Sequence, residues 1–205
     1  MNRLVIIGAG GHGKVVADTA HAAGWKDIAF VDRGWPKRDL NGSWPVIAAS
    51  PPVDGTALFC GVGHNATRAR LFDACELQNA PVLIHPSVIL SPSATLGNGT
   101  LAVAGAIVNA DTQIGRGVIL NTGCSVDHDC ILDDFAHISP GARLAGGVRV
   151  GQCTWIGIGA VIREGVTIGR NVTVGAGAAV IHDIEDGVRV AGVPARAISM
   201  QTQGN

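Results

Sequence analysis

A histidine between two acidic residues is the strongest chemical signal in this sequence. His128 stands between Asp127 and Asp129. A carboxylate next to an imidazole orients the ring and favours its protonated form, which is the arrangement that a general base needs. The residue types alone leave a second interpretation open, in which His128 is a surface side chain with solvated acidic neighbours. The choice between them depends on the element that carries the histidine.

A glycine-rich segment near the N-terminus is the second signal. Gly8, Gly10 and Gly13 form the pattern G-x-G-x-x-G. They lie between an apolar run at residues 4–7 and a helical stretch at about residues 14–23. Glycines in such a turn let backbone N–H groups approach a phosphate at the N-terminus of a helix. The pattern indicates a nucleotide or pyrophosphate site, and a tight strand-to-helix turn without a ligand is the alternative.

Two further apolar runs complete a βαβ pattern in this region. Residues 28–31 form a run that ends at Asp32, and residues 58–60 form another. Asp32 follows the glycines by about 20 residues, as dinucleotide sites require. However, about 80 residues precede the repeat described next, which is room for half of a classical Rossmann sheet. His12 is also unusual in a dinucleotide loop, so that an NAD-linked enzyme is the less favoured alternative.

An internal repeat fills the rest of the chain. Every sixth residue from Ile84 to Val180 is aliphatic, and Ala102 is the only one that is not Ile, Leu or Val. A smaller side chain stands two residues before most of them, and glycine often follows. This period is neither that of an α-helix nor that of a simple strand, but it is typical of a parallel β-helix. Cys124 and Cys130 fall on the small positions and are predicted to fill the core, without a catalytic or redox role.

The repeat resembles the left-handed parallel β-helix of the hexapeptide acyltransferases. This resemblance implies coils of about 18 residues, each made of three strands, and between five and six coils from residue 84 to residue 184. It also implies a homotrimer with active sites in the grooves between neighbouring prisms. The predicted fold is therefore a Rossmann-like α/β domain at residues 1–82, followed by an all-β left-handed β-helix with a C-terminal cap at residues 83–205.

Three motifs extend the resemblance over nearly the whole chain. They are the G-x-G-G-H-G-K-V segment at residues 8–15, the G-V-G-H-N-A-T-R segment at residues 61–68 and the G-V-P-A-R segment at residues 192–196. Together with the strand that ends in Asp32, they are similar to the sugar O-acyltransferase family, which includes sialic acid O-acetyltransferases and PglD-like N-acetyltransferases. In that family the front domain holds a UDP-sugar. The resemblance implies that the residues contacting this substrate are Gly10, Gly11, His12, Gly13, Asp32, Arg33, Asn65 and Arg68.

The same resemblance assigns the acetyl-transfer residues. His128 would be the general base and Asp129 its partner, where the PglD-like proteins carry Glu. The Gly146 N–H would donate to the thioester carbonyl, and His137 would contact acetyl-CoA, with a stacking or surface histidine as the less favoured alternative. The implied CoA path continues over Ile158, Ala176 and Arg196, the last of which could serve instead as an end cap.

These residues predict direct acetyl transfer from acetyl-CoA, without a metal, to the amino group of a UDP-4-amino-4,6-dideoxy sugar of the bacillosamine type. An O-acetyltransferase of sialic acid or another sugar, an N-acetyltransferase of a GDP-amino sugar of the perosamine type, and a non-catalytic nucleotide-sensing protein are the alternatives. The formal net charge of −1 does not favour nucleic-acid binding. No apolar run approaches the roughly 18 residues of a membrane span, and we expect a cytoplasmic protein.

Overall fold

The computed structural model describes residues 3–198 of the chain. Residues 1–2 and 199–205, at the outer ends of the two predicted domains, lie outside the described part. An N-terminal α/β part is followed by a parallel β-helix. The β-helix begins with a strand at Leu83, directly after the boundary predicted at residue 82.

The N-terminal α/β part is built on a five-stranded sheet. Its elements are β1 (Leu4–Ile7), α1 (Gly11–Ala22), β2 (Ile28–Val31), β3 (Leu40–Asn41), β4 (Trp44–Ala48), β5 (Ala57–Cys60), α2 (Asn65–Ala74) and a 3-10 helix (Leu77–Asn79). The strand order is β3-β4-β2-β1-β5, and only β3 and β4 pair antiparallel. The three predicted strands are confirmed. The β3–β4 hairpin was not predicted, because its strands are short and partly exposed.

The glycine motif forms the turn between β1 and α1. Gly8 has a φ of 101°, a conformation that other residues rarely adopt. A Cβ atom on Gly13 would strike the carbonyl oxygen of Gly8, so that only glycine lets α1 pack this closely against β1. The helix begins at Gly11, three residues earlier than predicted, because the last glycines of the motif already form its first turn.

The β-helix is a three-sided prism whose strands pair in parallel with strands one coil away. The first face, here called the docking face, contains β6 (Leu83–Ile84), β9 (Leu101–Ala102), β12 (Ile119–Leu120), β15 (His137–Ile138), β18 (Trp155–Ile156), β21 (Thr173–Val174) and β23 (Arg189–Ala191), and β23 pairs with β24 (Arg196–Ala197). The second face contains β7 (Ile89–Leu90), β10 (Ile107–Val108), β13 (Ser125–Val126), β16 (Arg143–Leu144), β19 (Val161–Ile162) and β22 (Ala179–Val180). The third face contains β8 (Thr95–Leu96), β11 (Gln113–Ile114), β14 (Ile131–Leu132), β17 (Arg149–Val150) and β20 (Thr167–Ile168).

The repeat determines the interior of the prism. The second residue of nearly every strand belongs to the sixfold aliphatic series and points inward, and the small residues of the turns fill the remaining space. Cys124 and Cys130 are fully buried in this core, as the repeat predicts. The predicted parallel β-helix is confirmed.

Three columns of turns form the corners of the prism. The first corner joins the docking face to the second face, and the second corner joins the second face to the third. The third corner joins the third face back to the docking face. In a triangular cross-section the second corner therefore lies opposite the docking face.

The N-terminal α/β part packs on the docking face. The outward residues Leu83, Leu101 and Ile119 of this face are buried in one apolar cluster with residues of β1, α1 and β2. His137 and Trp155 follow in the same outward row, one and two coils further along. The two parts thus share a continuous apolar interface that ends at a pair of aromatic rings. Among residues 3–198, no helix is both long and apolar enough to cross a membrane.

Candidate functional site

The predicted base lies on the second corner, in the turn between β13 and β14. The Nδ1 atom of His128 is 2.7 Å from Oδ2 of Asp129, and the two side chains are 62% and 66% exposed. This hydrogen bond is the largest influence on His128, and it raises the pKa of the imidazole. Because Nδ1–H donates to the carboxylate, the lone pair of Nε2 is free to accept a proton from a substrate.

The next coil of the β-helix lies against the same imidazole ring. Gly146 occupies the second corner one coil beyond His128, and the backbone of Gly147 donates a 2.8 Å hydrogen bond to the His128 carbonyl. A Cβ atom on Gly146 would lie 2.6 Å from Nε2 of His128. No residue of the described part accepts a hydrogen bond from the Gly146 N–H. Gly146, whose N–H is unused, therefore lies against the imidazole of the predicted base.

His137 lies on the docking face, where the N-terminal α/β part ends. It is 6% exposed. The indole of Trp155 stacks on it, with ring centroids 5.4 Å apart and an interplanar angle of 3°, and the His12 ring lies 6.1 Å away. Burial, followed by the charge of Arg68 and then His12, lowers the pKa of His137 to about 3. Burial and Arg68 lower the pKa of His12 to about 4, so that both imidazoles are neutral at physiological pH.

Asn121, which the sequence did not single out, fixes the orientation of His137. Its Oδ1 accepts a 2.8 Å hydrogen bond from the backbone of Thr122, so that its Nδ2 must be the atom that faces His137 Nε2 at 3.1 Å. Since Nδ2 can only donate, Nε2 of His137 is the acceptor and the ring carries its proton on Nδ1. The signal for these contacts was present in the sequence as spacing: Trp155 follows His137 by one coil, and Asn121 precedes it by nearly one.

Arg68 does not face a substrate site in this structure. It is 2% exposed. Its Nε donates to the Gly117 carbonyl at 2.7 Å, its Nη1 donates to Gly63 at 2.8 Å, and its Nη2 donates to Phe135 at 2.7 Å and to the side chain of Asn65 at 3.0 Å. Its Nη1 also makes a weaker hydrogen bond to the carbonyl of Val62, at 3.3 Å. Together these contacts use all the N–H groups of the guanidinium, so that none is free for a ligand. The prediction that Arg68 binds the nucleotide sugar does not fit this geometry.

Asn65 has the same structural role. It begins helix α2, and its Nδ2 donates to the carbonyl oxygens of Cys153 and Thr154 at 3.0 and 3.1 Å. Asn65 and Arg68 therefore join α2 to three coils of the β-helix, and neither reaches the cavity described next. The sequence motif that contains them was recognised correctly, but its buried polar side chains hold the two parts together.

The N-terminal α/β part contains a cavity of about 630 Å³ between the carboxyl ends of its strands and helix α2. Asp32 and Arg33 line it on the sheet side, and Thr67 and Arg70 line it on the helix side. Asp32 accepts hydrogen bonds from the N–H groups of Ala9 and Gly34, both at 2.8 Å. Burial opposes ionisation of Asp32, but these two bonds outweigh it and lower the pKa of the carboxyl group.

The glycine loop lies at the edge of the docking face. Gly10 and Gly11 are exposed at the start of α1, and a Cβ atom on either would meet nothing within 4 Å. Gly13 is buried, so that it supports the loop and does not present a surface to a ligand. His12 connects this loop to His137, with its Nε2 buried and without a hydrogen-bond partner among the described residues.

Apart from Gly146, the predicted CoA residues do not lie beside His128 within one chain. Ile158 is 61% exposed and Ala176 is exposed, and both lie in turns of the first corner. Arg196 is exposed on β24, and its Nη1 donates a 2.9 Å hydrogen bond to the carbonyl of Ala195. His128 is on the second corner, across the full width of the second face. Among residues 3–198, no group of three or more His, Cys, Asp or Glu side chains is arranged to hold a metal ion.

Two family models match the chain. Residues 3–75 match the PglD N-terminal domain, and residues 147–182 match the bacterial transferase hexapeptide of six repeats. Among characterised proteins, the UDP-N-acetylbacillosamine N-acetyltransferase of Bacillus subtilis (strain 168) is 38% identical over 116 residues, which are 51% of this chain. That alignment spans about half of the relative's length, namely 52%.

Solved structures match over almost the whole chain. The acetyltransferase domain of PglB from Neisseria gonorrhoeae FA1090, in complex with acetyl coenzyme A, is 42% identical with a TM-score of 0.90, and the match covers 96% of this chain and 99% of that one. A mutant of the perosamine N-acetyltransferase from Caulobacter crescentus, in complex with CoA and GDP-perosamine, is 38% identical with a TM-score of 0.90, covering 97% and 98%. The chain therefore belongs to the PglD-like family of hexapeptide-repeat sugar acyltransferases.

Proposed function

We propose that this protein transfers an acetyl group from acetyl-CoA to the amino group of a nucleotide-linked 4-amino-4,6-dideoxy sugar, with UDP as the favoured carrier. The observation that carries the proposal is the second corner, where the imidazole of the His128–Asp129 pair lies against Gly146, whose N–H has no acceptor among the described residues. A base and an oxyanion donor at one point are the two groups that acyl transfer from a thioester requires.

The reaction follows from this geometry in a single transfer without an acyl-enzyme. The sugar nitrogen attacks the thioester carbon while Nε2 of His128 takes a proton from it. Asp129 stabilises the imidazolium through Nδ1–H, and the Gly146 N–H donates to the oxygen on which negative charge develops. The carbon–sulfur bond then breaks, and CoA leaves as the thiol with the proton held by His128. A thioester is already activated, so that this step needs no metal.

The complete site requires two copies of the chain. His128 is at the apex opposite the docking face, whereas the glycine loop and its His12 pack on that face. A sugar held by the front part of one chain therefore cannot reach the base of the same chain. We propose a homotrimer in which the second corner of each prism meets the first corner of the next. The second face, which lies between these corners and exposes Ile89 and Val161, is the contact surface.

The proposed substrates are assigned to the surfaces that suit them. The 630 Å³ cavity would hold the nucleoside, with Arg33 and Arg70 at its rim next to the phosphates. Exposed Gly10 and Gly11 would let the sugar and diphosphate approach the N-terminus of α1.

Acetyl-CoA would lie along the first corner over Ile158 and Ala176, with Arg196 near its phosphate and His137 behind the acetyl end. Both proposed substrates are cytoplasmic metabolites, and we propose that the protein acts in the cytoplasm.

The test is release of free CoA thiol with a panel of acceptors: UDP-4-amino-4,6-dideoxy sugars, a GDP-4-amino sugar and free sialic acid. Fast turnover on a UDP-amino sugar supports the proposal. Preference for the GDP-amino sugar, the ligand of the perosamine enzyme, would retain N-acetylation and change the carrier, and turnover on sialic acid alone would replace N- by O-acetylation. His128→Ala should lower kcat by about 10²-fold or more. His182→Ala, which changes an exposed histidine on the same corner, is the matched control and should retain the wild-type rate.

A further inference from the structure

Three aromatic rings form a stack across the interface between the two parts of the chain. Trp155 lies over one face of His137, in near-parallel contact, and the His12 ring lies 6.1 Å from the His137 ring at a tilt of 43°. Trp155 and His137 are opposite residues on neighbouring strands, so that the parallel ladder itself places one ring over the other. Below, this group is called the ring stack.

The outer ring of the stack is fixed although it is partly open to solvent. The indole of Trp155 is 42% exposed, and its Nε1–H donates a 2.6 Å hydrogen bond to the hydroxyl of Ser139, which is itself buried. A tryptophan on a protein surface would ordinarily be free to change rotamer. Here the hydrogen bond holds the ring plane over the imidazole, so that Trp155 separates His137 from water.

The imidazole of His137 can accept the hydrogen bond from Asn121 only when it is neutral. Nε2 of His137 accepts from the Asn121 amide, and a protonated ring would set one N–H against another. The charged and titratable groups that face His137 are Arg68, from α2, and His12, from α1. Both disfavour a positive charge on His137, but neither shields it from solvent on the side of Trp155.

We propose that Trp155 is a positioning residue for the acetyl-transfer reaction: it seals His137 so that the neutral imidazole holds the Asn121 amide at the first corner. Asn121 is partly exposed at that corner, which also carries the proposed acetyl-CoA path over Ile158 and Ala176. The catalytic consequence rests on the proposed function. The effect on His137 does not rest on it, because the ring stack and the Asn121 hydrogen bond are contacts within this chain.

Histidine NMR on the full-length protein tests the effect on His137. The wild-type His137 signal, assigned by its loss in His137→Gln, should show a neutral ring protonated at Nδ1 that does not titrate between about pH 5 and 8. In Trp155→Ala the same signal should titrate within that range. Trp155→Phe should shift the titration less than Trp155→Ala does, because phenylalanine retains a stacking ring but loses the hydrogen bond to Ser139. Thr173→Ala, one coil further along the same outward row, is the matched control and should leave the signal unchanged.

Kinetics on the same variants test the consequence for catalysis. Relative to wild type at the same pH, Trp155→Ala should lower kcat roughly tenfold or more at about pH 6, with partial recovery at about pH 8, and Trp155→Phe should lower it less. A His137 signal that still does not titrate in Trp155→Ala would overturn the inference. The inference would also fail if the signal titrated in Trp155→Ala as expected while kcat stayed at the wild-type value at both pH values. Failure of the proposed function is distinguishable, because the wild-type protein would then be inactive on every acceptor while the NMR comparison still reports on the ring stack.

Discussion

His128 depends on the backbone conformation of the residue that follows it. Asp129 has a φ of 58°, in the left-handed region, and the equivalent positions of the next two coils are occupied by Gly147 and Gly165. Aspartate is among the few residues other than glycine that tolerate this conformation. The corner turn can therefore carry a carboxylate where the next two coils have glycine, and the side chain reaches Nδ1 of the histidine. A structural requirement of the repeat thus provides the partner of the base.

The pH dependence of catalysis should report this pair. Asp129 raises the pKa of His128, and a general base works only when it is neutral. The rate should therefore fall on the acid side, with a midpoint above the ordinary histidine value of about 6.5. In Asp129→Asn this midpoint should move to lower pH, because the largest influence that raises the pKa is lost. We would measure kcat/KM from about pH 5 to 9; an acid limb that stays in place in the variant contradicts the pairing.

Gly146 should be needed for full activity, because the His128 ring occupies the space where a side chain at position 146 would lie. In Gly146→Ala the new methyl group would overlap the His128 ring, which is exposed and free to swing away. We expect an intact fold with kcat lowered by up to about 10²-fold, since the base would leave its position. Glu164→Ala, which changes the next residue of the same column, is the control and should have little effect. A Gly146→Ala enzyme with wild-type kcat would exclude close packing of the ring on this glycine.

The strands of the β-helix were predictable because their signal repeats. The aliphatic series from Ile84 to Val180 gives both the face and the register, since each inward residue pairs with the one 18 positions later. The first βαβ unit was predictable from its glycine turn. The β3–β4 hairpin, by contrast, has no periodic pattern and exposes Leu40 and part of Trp44. Local sequence identifies such short elements poorly, because tertiary contacts decide them.

The contacts between elements were beyond the reach of the sequence motifs. Asn65 and Arg68 lie in a segment that is recognisably part of the family, and their polar side chains suggested a ligand. In the structure their partners in the β-helix are backbone carbonyl groups 49 to 89 residues away in the chain. A local sequence pattern does not show that these side chains donate hydrogen bonds to the β-helix and not to a ligand. His137 was similarly identified as functional, but its burial under Trp155 depends on the pairing of β15 with β18.

Arg68 should be required for the attachment of helix α2 to the prism. In Arg68→Ala the carbonyl groups of Gly117 and Phe135 would lose a charged donor while remaining buried. We expect the free energy of unfolding to fall by about 3–5 kcal/mol and the midpoint of thermal unfolding to fall by roughly 10 °C. Arg70→Ala, on the exposed side of the same helix, should change stability by no more than about 0.5 kcal/mol. Equal stability of the two variants would show that the buried network does not join the two parts.

At the scale of the whole molecule, the prism separates the two halves of the chemistry. The docking face carries the glycine loop and the ring stack, and the opposite apex carries His128 and Gly146. The width of the prism prevents one chain from joining them. Assembly through the second face would bring the apex of one copy to the first corner of its neighbour and form a closed ring. We therefore propose that the oligomer is a condition for activity.

Mixing two inactive variants tests this account most directly. His128→Ala removes the base, and Ala74→Trp fills the 630 Å³ cavity from an exposed position on α2. Each variant alone should be inactive in the thiol-release assay on the accepted nucleotide amino sugar. When equal amounts are unfolded and reassembled together, about a quarter of the sites should join an intact base to an intact cavity, and activity should return to that level. An assembled mixture that remains inactive would show that the base and the cavity of a single chain serve the same site, which contradicts the account.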